Sequence, residues 1–251
     1  MVHFWWVLLM VISLGWTDDV AGQGKSSEPV VLIELFTSQG CSSCPAADRL
    51  LTSLLEEPEN KAAGVIGLSF HVSYWNRLGW RDPYSSETYT IRQRNYGRAL
   101  ALNTIYTPQM IVNGKYQFVG SDERKATESI GKALKLPPRT QVELSNVHRT
   151  AEELSFDFRI EGKTEGREIN FALVEKHLVN YVPRGENSGR TLEHDNVVRV
   201  FDMADAKSSG NHRLKIKDDK IDLKKCLLIA YVQREDNFEI EGACQMKLNG
   251  I

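Results

Sequence analysis

The sequence predicts an α/β domain over residues 30–136, followed by a mainly antiparallel β-sandwich-like domain over residues 140–251. Three observations lead there. The first half alternates short apolar runs with stretches of helical spacing, in the order β, α, β, α, β, β, α. Residues 137–139, with two prolines, form a stiff linker. Beyond it, apolar and polar residues alternate in short runs separated by Gly, Asn and Asp turns. At 251 residues and 41% hydrophobic content, the chain is long and apolar enough to bury a sizeable core. Lys+Arg 31 against Asp+Glu 33 is a near-neutral balance, which argues against nucleic acid or an acidic membrane surface as partner.

Taken in order, residues 4–16 are apolar with only Ser13 and Gly15 interrupting. That is short for a membrane span and suits the core of a signal peptide, with Val20, Ala21 and Gly22 as small residues for cleavage. Residues 1–22 are therefore read as a signal peptide and 23–29 as a polar tether, giving a periplasmic or secreted protein with no stable membrane span after cleavage. The leading end has only its amine and His3 to carry positive charge, so a retained membrane anchor is the alternative.

Residues 30–36 read as a buried strand with one acid, Glu34. Ala47, Leu50, Leu51, Leu54 and Leu55 then recur at helical spacing, up to a stop at Pro58. Residues 65–72 give a second strand, parallel to the first through a right-handed connection. An aromatic segment with Tyr74, Trp75, Trp80 and Tyr84 follows, and residues 86–102 predict a helix with Arg92, Arg94 and Arg98 on a solvated side. Two apolar runs joined by Asn113-Gly114 carry the strongest short-range hairpin signal. Ser121 is placed to cap a last helix, which buries Ala126, Ile130, Ala133 and Leu134. In the second half, Leu154, Phe156, Phe158 and Ile160 alternate with polar residues, and further strand-like runs end at residues 227–232.

The chemistry centres on Cys41 and Cys44, three positions apart between the first strand and the first helix. Free amides at a helix start stabilise a thiolate, which makes Cys41 a good nucleophile. A redox dithiol is the leading reading, and an inert disulfide or half of a metal site are the bland ones. Zinc needs two more ligands at matching spacing, and Cys226 and Cys244 do not provide it, so no metal and no cofactor are expected. Cys226 and Cys244 are symmetric about Glu235 in a turn-like stretch. A hairpin centred there opposes the two residues and predicts a structural disulfide, stabilising by about 3 kcal/mol. His71 ends an apolar strand and reads either as a core histidine or as a proton carrier or metal ligand near the dithiol. The glycine-rich stretch 185–191 lacks a strand-to-helix setting for phosphate and reads as a loop.

The element order, the CxxC after the first strand and the Thr107-Pro108 before the hairpin together resemble the thioredoxin fold over residues 30–136. The segments 34–45, 70–83 and 106–110 further resemble an exported thioredoxin-like family classed as a domain of unknown function. The resemblance implies Cys41 as attacking thiol, Cys44 as resolving thiol and Pro108 as a cis proline facing them. It also implies Thr107 beside the substrate and Glu34 as the buried acid beneath the dithiol, one position further from Cys41 than in ordinary thioredoxins. Trp75 and Trp80 either line a peptide groove or plug the inserted segment onto the domain. The expected function is an exported thiol-disulfide oxidoreductase working through a mixed disulfide, with protein thiols or disulfides and a redox partner protein as partners. The alternative is a non-enzymatic protein- or metal-binding module.

Overall fold

The computed structural model describes residues 29–150 and 152–248, so the signal peptide and nearly all of the tether read from the sequence lie outside the described residues. In chain order the elements are β1 (Leu32–Thr37), α1 (Cys44–Glu56), α2 (Pro58–Ala62), β2 (Ile66–His71), α3 (Glu87–Ala99), β3 (Gln109–Val112), β4 (Tyr116–Val119) and α4 (Glu123–Ala133). They continue as β5 (Gln141–Arg149), β6 (Glu153–Glu161), β7 (Arg167–Glu175), β8 (Leu178–Val182), β9 (Arg190–His194), β10 (Val197–Asp205), β11 (Ser209–Lys215), β12 (Cys226–Arg234) and β13 (Ile240–Lys247). Among the described residues no helix is long and apolar enough to cross a membrane.

The predicted pair of units, an α/β thioredoxin-like domain and a separate β-sandwich, does not form. Strand outweighs helix, 42% to 22%, and the strands of both halves join in one mixed sheet of eight, ordered β13-β12-β7-β10-β2-β1-β3-β4. The seam is β10 against β2. Val197 pairs with Ser69, the Ser69 amide donates to the Asn196 carbonyl at 2.8 Å, and Asn196 Nδ2 donates to the Gly67 carbonyl at 2.7 Å. The physical reason lies in burial. A sandwich strand alternates buried and wet positions, whereas residues 169–175 of β7 and 228–233 of β12 are buried without interruption, the mark of strands covered on both faces.

The local patterns are otherwise kept. β1 and β2 are parallel, and β3 and β4 form a hairpin around Asn113 and Gly114, both at positive φ. α4 is capped one residue later than predicted, by Asp122, whose side chain accepts from the Lys125 amide at 3.0 Å. Alternation along β1 assigns its two faces. Val31, Ile33 and Leu35 pack under α1 and α4. Leu32 and Phe36 face the opposite way, into a core shared with Tyr89 and Tyr96 of α3 and with Val174, Ile229 and Tyr231 from the second half. A smaller sheet, β11-β6-β5, buries its apolar face on Phe171, Leu173, Leu228 and Ala230. The separate ribbon β8-β9 lies against α1.

That geometry relocates Glu34. Sharing its face with Leu32 and Phe36, it points away from α1 and therefore away from the dithiol. Its carboxylate accepts from Arg92 Nε at 2.7 Å, from Tyr231 at 3.3 Å and from the Tyr96 hydroxyl. Arg92, expected in solvent, is 3% exposed and lies among the rings of Phe70, Tyr96, Phe201 and Tyr231. Arg94 and Arg98 are exposed as expected.

The predicted Cys226–Cys244 disulfide is also absent: both thiols are free and buried. In the β12–β13 hairpin Leu228 faces Met246 and Ala230 faces Cys244, so the pairing is centred two residues beyond Glu235. A turn closed by Phe238 N donating to the Arg234 carbonyl at 3.1 Å sets this register. Cys244 thus sits opposite a residue four positions from Cys226, about 13 Å along the strand at ~3.3 Å per residue, beyond disulfide reach.

Candidate functional site

Apolar β1 ends at Thr37, and the chain turns through Ser38, Gln39 and Gly40 before α1 opens at Cys44 with Pro45 in its first turn. Backbone bonds from Cys41 N to the Ser38 carbonyl and from Cys44 N to the Cys41 carbonyl, each 3.2 Å, wind this loop tightly. The two Cα atoms are 5.4 Å apart and the sulfurs are joined in a disulfide. Both cysteines are buried, Cys41 with 1% of its surface exposed and Cys44 with none.

Gln39 organises the surroundings. Its carbonyl Oε1 accepts from Trp80 Nε1 at 3.0 Å and from Asn180 Nδ2 at 2.8 Å. Its amide nitrogen is therefore the group 3.1 Å from His194 Nε2, which must accept, leaving the ring proton of a neutral His194 on Nδ1. That nitrogen faces Asp48 Oδ2 at 3.4 Å, within ion-pair reach but without hydrogen-bond geometry, and both Asp48 oxygens lack a hydrogen-bond partner. Asp48 is buried one helical turn after Cys44, a spacing that puts the two Cβ atoms roughly 5–6 Å apart.

His71 stands beside His194, ring centroids 4.9 Å apart. Its Nδ1 is 2.7 Å from Asp82 Oδ2, which also accepts the Gln39 amide at 2.8 Å, while Oδ1 accepts the Tyr84 amide at 2.9 Å. Burial disfavours charge on His71, but Asp82 outweighs it and raises the imidazole's pKa. Burial likewise works against the Asp82 carboxylate, and His71 with the two amides outweighs it, holding its pKa low. Tyr84 is raised, first by burial and with Asp82 and Glu175 adding to it against Arg199.

The ribbon's tip reaches over the loop from the other half of the sequence. Asn187 is fully buried, and its Nδ2 donates to the carbonyls of Gln39 and Cys41, each at 2.9 Å. Next to it, the Glu186 carboxylate accepts the Ser42 amide at 3.0 Å, and its pKa is lowered by the Ser42 side chain first and by this amide second. Gly185, at φ +80°, approaches Trp80 so closely that a Cβ there would lie 3.3 Å from the Trp80 Cβ.

Of the residues predicted for the site, the structure brings together Cys41, Cys44, Thr107, Pro108, Trp75 and Trp80. The Thr107–Pro108 peptide is cis. Trp75 Nε1 donates to Thr107 Oγ1 at 2.7 Å, and a Cβ on Gly40 would meet the Trp75 Cβ at 3.0 Å, so Trp75 bridges the dithiol loop and Thr107. Pro108 reaches α1 through Gly120, where an added Cβ would lie 3.0 Å from Pro108 Cβ and 3.1 Å from Ala47 Cβ. Through their indole N–H groups Trp80 thus fastens the aromatic segment to the loop and Trp75 fastens it to Thr107. Glu34 is not brought to the site, and neither are Cys226 and Cys244. Sequence reasoning missed Gln39, Asp48 and Asn187 and left His194 without a role. The available signal was Asp48 itself, an acid on the stripe that Cys44, Ala47, Leu51 and Leu54 bury. Among the described residues no group of three or more His, Cys, Asp or Glu side chains is arranged to hold a metal ion.

A solved protein of Agrobacterium tumefaciens is similar at 28% identity and TM-score 0.63, over 90% of this chain and 98% of that one. HBP35 of Porphyromonas gingivalis shares the fold at 16% identity and TM-score 0.62, over 88% of this chain and 76% of that one. No curated protein matches. Residues 32–233 match the family described as "Protein of unknown function (DUF1223)", a span holding the dithiol loop, the His71–His194 cluster and the ribbon alike, and the chain belongs to that family.

Proposed function

We propose that the chain is a thiol-disulfide oxidoreductase that works through Cys41 and Cys44. The observation that carries this reading is the disulfide between residues three apart at the start of α1, set against a buried cluster of ionisable side chains with unpartnered oxygens. In the reduced chain the Cys41 thiolate attacks a partner's disulfide. An S–S bond forms between Cys41 and the partner, whose other sulfur leaves as a thiolate and takes up a proton. Cys44 then gives its proton to Asp48 and attacks the Cys41 sulfur, the bond between Cys41 and the partner breaks, and the partner's second sulfur leaves as a thiolate and takes up a proton. The chain so closes its intramolecular disulfide and loses two electrons, and the partner gains them. Asp48, and not Glu34, is the acid suited to this step, because it lies on the helix face of Cys44 and both its oxygens are free of hydrogen bonds, with His194 Nδ1 3.4 Å away.

Protein thiols or disulfides are the partners in this reading, with a redox partner protein restoring the starting state. The apolar segment 4–16 supports export to the periplasm or the exterior. The burial of both sulfurs favours a second reading, a binding module whose disulfide is inert. A Cys44→Ala chain separates the two. The oxidoreductase accumulates mixed disulfides through Cys41 with proteins of its compartment. Absence of such adducts, together with no exchange of any protein disulfide by the wild type, would sink the redox reading.

A further inference from the structure

A nucleophilic sulfur must meet its partner, yet Cys41 is 1% exposed. The backbone around it is committed to the ribbon tip: the Gln39 and Cys41 carbonyls accept from the Asn187 side chain, and the Ser42 amide donates to Glu186. These are two acceptors and a donor on one short loop, the pattern an extended polypeptide satisfies when it lies alongside another backbone. Asn187 supplies to that loop an amide N–H, as a peptide backbone would, and the Glu186 carboxylate oxygen takes the place of a peptide carbonyl oxygen. We propose that the tip of the β8–β9 ribbon, residues 183–189, occupies the place of the substrate, and that the substrate is an extended, unfolded segment of polypeptide carrying the disulfide.

The inference rests on the redox reading and deepens it. Three features confine it to this tip. Beyond its two strands the tip is held by polar contacts and by the approach of Gly185 to Trp80, with Glu186 and Ser188 exposed. Its bonds to the loop are made by side chains, so leaving breaks no strand pairing. Indole surface from Trp75 and Trp80, each half-buried beside the loop, flanks the backbone groups that the tip releases. A folded partner presents no free backbone to replace the broken bonds, whereas an unfolded one does, so release of the tip selects partners that are not yet folded.

The test reads access and chemistry separately. In the reduced full chain, the rate of Cys41 alkylation by iodoacetamide measures opening without requiring any redox activity. Glu186→Ala removes one acceptor at an exposed position, and the rate is expected to rise about three- to tenfold, the span of one net hydrogen bond. Asn187→Ala removes both bonds to the loop, together with the one that Asn187 accepts from Arg190, and is expected to raise it further. A disulfide-bearing unfolded peptide added in excess slows alkylation of wild type and variants, whereas a folded protein with an exposed disulfide does not. Equal alkylation rates in wild type and Glu186→Ala overturn the proposal while leaving the redox reading intact. Faster alkylation with no exchange on any peptide disulfide keeps the tip as a cover but overturns its role as a substrate's stand-in, and the redox reading falls with it. Thermal unfolding of each variant confirms that the folded chain is compared.

Discussion

Two buried acids join the halves of this chain, one on each face of the eight-stranded sheet, and their surroundings differ. Glu34 has both oxygens engaged, and Arg92 extends the network to Asn170 at 3.4 Å and Gln233 at 3.1 Å. Asp48 has neither oxygen hydrogen-bonded, and across from it His71 Nε2 and His194 Nδ1 also lack partners. A carboxylate with both oxygens engaged is held in one arrangement and has no free lone pair facing a proton donor. An open set beside a dithiol is unfavourable for stability and available for proton transfer. The acid that the sequence makes conspicuous is therefore architectural, and the one hidden in an amphipathic helix sits at the chemistry.

The largest effect is expected where the closed network is cut. Glu34→Ala leaves Arg92 as a buried cation without its carboxylate, a loss of about 3–5 kcal/mol in urea unfolding. The folded fraction should keep the wild-type rate of Cys41 attack. A cost below about 1 kcal/mol, or a specific slowing of thiol chemistry, would break the contrast between the faces.

Next comes Asp48→Asn. Reduced protein reacting with a chromogenic aromatic disulfide releases one chromophore when Cys41 attacks and a second when Cys44 resolves. The substitution should leave the first phase unchanged and slow the second by about a hundredfold. Raising the pH should restore the second phase, as hydroxide takes over the proton. Stability should hold or rise slightly, because a buried carboxylate without hydrogen bonds is removed. Equal slowing of both phases would assign Asp48 to structure and erase the difference from Glu34.

A smaller effect tests the His71–Asp82 pair. His71 has its folded pKa raised above the ordinary 6.5, so its contribution is fully present below that value and is lost as pH rises through the raised one. Asp82 is lowered from 3.8, so its contribution is present above that value and lost as pH falls through the lowered one. The folded state should therefore be most stable to heat between these limits. His71→Gln should flatten the alkaline limb. An unchanged alkaline limb in that variant would show that the pair does not carry it.

How far the sequence went follows from the range of each interaction. Period-two and helical spacing are local, so β1 to α4 and the Asn113-Gly114 hairpin were legible, as was the cysteine pair at the start of α1. The pairing of Ser69 with Val197 joins residues far apart in the chain, and no local pattern encodes it. The apolar runs 171–174 of β7 and 227–232 of β12, apolar at successive positions, are the trace it leaves, and read as sandwich strands they point to a separate unit. Glu34 stands out as an anomaly in an apolar run, but placing it requires knowing which face of β1 meets α1. Gln39 and Asn187 are polar residues in loops, and such residues are ordinary until a partner from elsewhere in the chain buries them.

The smallest effect concerns Cys226 and Cys244, where a four-residue offset along β12 decides between a disulfide and two thiols. Burial, then Glu175, pushes the Cys226 thiol up to about 12, and burial pushes Cys244 up to about 12 as well. Both therefore stay protonated and poorly nucleophilic at neutral pH, in contrast to a cysteine at a helix start. The oxidised chain should give two titratable thiols after denaturation and almost none before. Cys226→Ala with Cys244→Ala should cost about 1 kcal/mol per site, the worth of one small buried apolar group, and added reductant should change the stability of neither protein through these positions. Four thiols appearing only after reduction would restore the disulfide and with it a hairpin centred on Glu235, moving every residue of β13 by four positions against β12 and carrying Cys244 away from Ala230.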